Sequence, residues 1–139
     1  MKKILFVVCF ISSVFFLYAE SNWTETLSND AKVTIIRPTS LIGNVNGDRI
    51  IYNQELLSVI GKGQYLTVSI PAGDNLFFID YQGLDFFEDA CLIEAEESGD
   101  YYILIKPVYG YTLLERIDEE TARKEMQGLK QATLSGDLK

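Results

Sequence analysis

The chain predicts a mainly β protein. It reads as a single β-sandwich, immunoglobulin-like or prealbumin-like, with a short C-terminal helix, following a cleaved N-terminal signal peptide. Three observations predict this. Short runs of alternating apolar and polar residues recur from residue 31 onward between turn signals rich in Gly, Pro, Asn and Asp. One later stretch, 118–129, shifts to helical spacing. The chain opens with Lys2 and Lys3, an apolar run from Ile4 to Leu17, and a switch to polar residues after Ala19.

That opening has the order of a secretory leader, with Ala19 as the last residue before the cut. The apolar run is shorter than the ~20 residues a spanning helix needs. An uncleaved leader anchored in the inner membrane is the alternative. Cys9 is not placed for lipidation, because Phe10 to Leu17 continue the apolar core beyond it. Removing residues 1–19 takes away two lysines and no acid, moving the formal charge from −8 to −10. Such a charge opposes binding to nucleic acid or to anionic headgroups. The expected location is the periplasm or the exterior, with no stable membrane insertion after processing.

Residues 20–30 form a polar segment, and 31–129 hold the sandwich and its helix. In "AKVTIIRP" (31–38), Val33, Ile35 and Arg37 share a face and Pro38 ends the strand. Arg37 is expected to pair with one of the many acids. Asn46-Gly47-Asp48 signals a turn before a strand from Ile50 to Asn53, and 55–60 is a third strand closed by Gly61-Lys62-Gly63. In 64–70, Leu66, Val68 and Ile70 make one apolar face. Pro71 to Asp74 form a turn, and Leu76 to Tyr81 are expected to return as the partner strand. "CLIEAEE" and "YYILIKPVY" are expected to pair as a second hairpin around Ser98-Gly99-Asp100, and "YTLLERI" is a final strand. Asp118 caps the helix, Glu119 and Glu120 sit at its positive end, and Ala122, Met126 and Leu129 share a face. Residues 130–139 read as a disordered tail.

The segments "AKVTIIRPTSLIGN", "GKGQYLTVSIPAGDN", "EESGDYYILI" and "LLERIDEETARKEM" occur in an order that resembles one bacterial envelope family, domain of unknown function 2846. The shared features are an early Arg-Pro strand, a Gly-x-Tyr strand leading to a Pro-x-Gly turn, and a Gly-x-Tyr-Tyr strand. The resemblance covers roughly residues 31–127. It implies a β-sandwich in the envelope and carries no catalytic residues to transfer. Many members are lipoproteins, whereas this leader does not end in a cysteine.

The chain has no histidine, which removes Ser-His-Asp and Cys-His nucleophiles and imidazole-ligated zinc. Cys91 has apolar neighbours and no cation beside it in sequence, so it is expected to be buried and reduced. No phosphate-cradling motif and no calcium-loop pattern occurs, so no cofactor and no metal is expected. Carboxylates are dense from Asp80 to Asp100, but Glu94 and Glu96 alternate with Ile93 and Ala95 as on a solvated strand face.

The binding surface read from the sequence is "YQGLDFFEDA" (81–90), with Tyr81, Leu84, Phe86 and Phe87 as apolar bulk among Asp85, Glu88 and Asp89. The competing reading is that Phe86 and Phe87 plug the end of the sandwich. The sequence thus points to a non-catalytic exported module for protein interaction or envelope support, with an envelope protein as partner. A small-ligand or glycan-binding domain, or a carboxylate-dependent glycan hydrolase, are the alternatives. Oligomeric state is not readable from these residues.

Overall fold

A computed structural model describes residues 29–40, 45–81, 90–108 and 111–135. The leader, and the 20–30 segment up to residue 28, lie outside them. The strands are β1 (Ala31–Arg37), β2 (Asp48–Tyr52), β3 (Glu55–Ile60), β4 (Gln64–Ile70), β5 (Gly73–Ile79), β6 (Cys91–Ala95), β7 (Asp100–Val108), β8 (Tyr111–Ile117) and β9 (Lys130–Gln131). One helix, α1 (Glu119–Glu125), lies between β8 and β9. The strands form two sheets, in the orders β8-β7-β1-β4-β9 (sheet A) and β3-β2-β5-β6 (sheet B). The expected β-sandwich with a short C-terminal helix is therefore present. An immunoglobulin constant domain lettered in chain order joins A-B-E-D and C-F-G. Here the first eight described strands join as D-A-G-H and C-B-E-F, which is a different order.

Alternation decides which face each strand buries. Val33 and Ile35 of β1, Leu66, Val68 and Ile70 of β4, and Ile103 and Ile105 of β7 form the inner face of sheet A. Ile50, Phe77, Ile79, Cys91 and Ile93 oppose them from sheet B. Tyr52 stacks on Phe77 with ring centroids 4.9 Å apart, and its hydroxyl donates to Asn75 Oδ1 at 2.7 Å.

Two expected hairpins are corrected. β4 and β5 do not pair, because β4 belongs to sheet A and β5 to sheet B. The Pro71–Ala72 link turns the chain from one sheet to the other. Asn75 braces that corner, its amide donating to the carbonyls of Pro71 and Gly73 at 2.9 Å each. Likewise β6 lies in sheet B, while β7 crosses to sheet A and runs parallel to β1 with Lys32 opposite Asp100. The inner face of both strands in each linked pair is mainly apolar, and facing across the core buries those faces as well as lying side by side. The alternation reports burial, not neighbours.

The predicted tail is corrected as far as Ser135. β9 adds to β4 in parallel, Ala132 is buried, and Ser135 N donates to Leu57 O at 3.0 Å. The apolar Ala132 and the free carbonyls along β3 and β4 fix a segment that its polar composition assigned to disorder. Asp118 caps α1 as expected, accepting from Thr121 N at 2.8 Å, and Ala122 is its buried residue. Met126 and Leu129, on the same predicted face, are half-buried.

Candidate functional site

Of the residues predicted to form a binding surface, Tyr81 is described, and Leu84, Asp85, Phe86, Phe87, Glu88 and Asp89 lie outside the described residues. Tyr81 is half-buried and packs against the core. Its hydroxyl accepts from Thr112 N at 2.7 Å, lies 2.9 Å from Thr112 Oγ1 and donates to Thr112 O. Thr112 Oγ1 in turn donates to Asp48 Oδ1 at 3.2 Å. Asp48 Oδ2 faces Arg37 Nε at 2.7 Å, and Arg37 Nη1 donates to Ile60 O at 3.3 Å. The Nε and Oδ2 atoms form a buried ion pair. Arg37 and Thr112 come from sheet A, and Asp48, Ile60 and Tyr81 from the sheet B side. The network is a polar clasp between the sheets at one end of the sandwich. Gly47 lets this end close: at its φ of 92° an added Cβ would meet Val59 at 2.8 Å.

The clasp is built for cohesion. Burial pushes the Asp48 carboxyl up from its ordinary value, against the pull of the Arg37 charge and the Thr112 hydroxyl. Cys91 is 7% exposed and faces the core, and burial pushes its thiol up despite the nearby Arg116. A raised thiol pKa keeps the sulfur protonated and a poor nucleophile. Asp80 pairs with Arg49 at 3.0 Å. Among the described residues no three acids or cysteines gather as metal ligands, and no helix is long and apolar enough to cross a membrane. A shallow depression beside α1 is lined by Glu119, Glu120, Arg123, Lys124 and Gln127. Its charges pair along the helix at 2.5 Å and 2.8 Å.

The two sides of the sandwich differ. On the β3/β4 side the chain covers its own edges. Lys130 N donates to Gly63 O at 3.0 Å, Ala132 N to Tyr65 O at 2.7 Å, and the Ser58 hydroxyl to Thr133 O at 2.7 Å. Among the described residues, β6 and β8 are the edges on the opposite side. β8 carries charges that discourage a further strand: Glu115 bonds Lys106 at 2.9 Å, and Arg116 lies 5.1 Å from the centroid of the Tyr101 ring. On β6, Leu92 points outward, is 50% exposed and stands opposite Leu76. Glu94, also outward, stands opposite Asp74. No lysine or arginine among the described residues pairs with Asp74, Glu94 or Glu96.

Sequence reading anticipated the solvated Glu94 and Glu96 and an acid partner for Arg37. It missed Leu92 and Asp74, because only the pairing of β5 with β6 brings them to one edge. Comparison with known proteins finds no match to this chain among family models, characterised proteins or solved structures.

Proposed function

We propose that this chain is an exported, non-catalytic envelope module that binds another protein through the open side of its sandwich. The carrying observation is the asymmetry of the edges. The chain's own 130–135 segment covers β3 and β4, while β6 presents a half-exposed leucine and an unpaired edge among the described residues. A free strand edge is a template for another chain unless it is blunted. The leader-like opening and the turn motifs that resemble an envelope family support the location. The polar residues Arg37, Asp48, Thr112 and Tyr81 are engaged in holding the sheets together. The test is mild crosslinking in cells followed by pull-down from membrane and periplasmic fractions. A discrete crosslinked partner, lost on Leu92→Asp, is expected. Absence of any protein above the untagged control overturns the reading.

A further inference from the structure

We propose that the partner adds a strand to sheet B at β6, and that this strand carries a lysine or arginine two residues before an apolar side chain. This rests on the reading of the chain as an interaction module and specifies its partner. Two cross-strand rows run out to the β6 edge on the outer face of sheet B. One is apolar, Leu76 beside Leu92, and the other acidic, Asp74 beside Glu94. Like charges directly opposite each other destabilise a sheet, and an added cation in the same row relieves them. An apolar side chain beside Leu92 extends the other row and removes exposed leucine surface from water. Sheet B is antiparallel throughout, so a strand continuing it meets Glu94 first and Leu92 two residues later.

The other edges are less suited. β3 and β4 are covered by the chain's own C-terminal segment, and β8 has Glu115 and Arg116 on its edge. A second copy is also a poor occupant. β6 carries no lysine or arginine, so no register of two β6 strands sets a cation beside Glu94, and pairing about Ile93 also sets Leu92 against the partner's Glu94. The net charge of −8 adds repulsion between copies.

The test uses a short blocked polythreonine peptide carrying one lysine and, two residues later, one valine. Binding to the full chain is followed by amide chemical shifts. Expected are shift changes and slowed exchange confined to 91–95 and the adjoining β5 residues. Replacing the lysine by glutamate is expected to weaken binding about ten-fold, since attraction beside Glu94 becomes repulsion. Methylating alternate peptide nitrogens on the pairing edge should abolish binding, and Glu94→Lys, an exposed change, should reverse the charge preference. No binding, binding unaffected by N-methylation, or shifts centred on another edge overturns the proposal, as does self-association through β6. Crosslinked capture of a native partner that survives both Leu92→Asp and Glu94→Lys overturns the β6 assignment while leaving the module reading intact. Loss of all capture, with the unaltered chain too, overturns the module reading itself.

Discussion

Arg37 and Asp48 meet 2.7 Å apart between the two sheets, with side chains only 1% and 4% exposed. One ends β1 and the other begins β2, so the pair ties sheet A to sheet B. Truncating either partner alone leaves a buried charge without its counterion, and Arg37→Ala is expected to cost about 3–5 kcal/mol. Replacing both by apolar residues of similar volume should cost far less. Urea unfolding of the single and double variants measures the difference.

The same carboxylate has a defined pH signature. Burial holds the Asp48 pKa above its ordinary value of 3.8, so the folded state binds this proton more readily than the unfolded chain. Its contribution is fully present below that value and is lost as pH rises through the folded pKa. Asp48→Asn, which mimics the protonated acid, should therefore lose less stability than the parent over that interval. Urea titrations at a series of pH values read this directly.

Tyr81 binds the clasp through its hydroxyl, which accepts from Thr112 N at 2.7 Å. Tyr81→Phe leaves that backbone donor without its partner at a part-buried site. The expected loss is about 1–3 kcal/mol, with the fold retained. An unchanged melting temperature would mean that the hydroxyl does not hold the sheets together.

The Cys91 thiol should react slowly with an alkylating reagent in the native state and quickly in denaturant, because burial raises its pKa and blocks access. Rapid native labelling, or a disulfide-linked dimer without reductant, would contradict its place in the core.

Processing is read from the opening residues. Intact mass measurement of the protein recovered from the cells that make it is expected to give Glu20 as the first residue, with no lipid on Cys9. An intact leader or a diacylglyceryl adduct would make the protein membrane-anchored instead.

Burial was legible in the sequence where period-2 alternation was clear, as in Leu66, Val68 and Ile70, because the pleat alone assigns faces. The cap at Asp118 was legible because its side chain acts within a few residues. Pairing was not legible. Pro71 to Asp74 has the composition of a hairpin turn yet carries the chain between sheets, and nothing local distinguishes the two outcomes. The turn at Asn53 and Gln54, with φ of 48° and 71°, lacks the usual glycine and left only its asparagine as a signal. Arg37 announced an acid partner but not which one, since Asp48 reaches it only once β1 and β2 lie in facing sheets. The β6 edge is hidden for the same reason: an edge is a property of the strand order.

Backbone amide exchange tests the asymmetry of the two sides most directly. The amides of Lys130, Ala132 and Ser135 donate to Gly63, Tyr65 and Leu57 and should be protected with the core. Along 91–95 protection should alternate, slow at amides paired with β5 and fast at those facing outward. Free exchange at Lys130, Ala132 and Ser135, or uniform protection along 91–95, would contradict a sandwich closed on its β3/β4 side and open at β6.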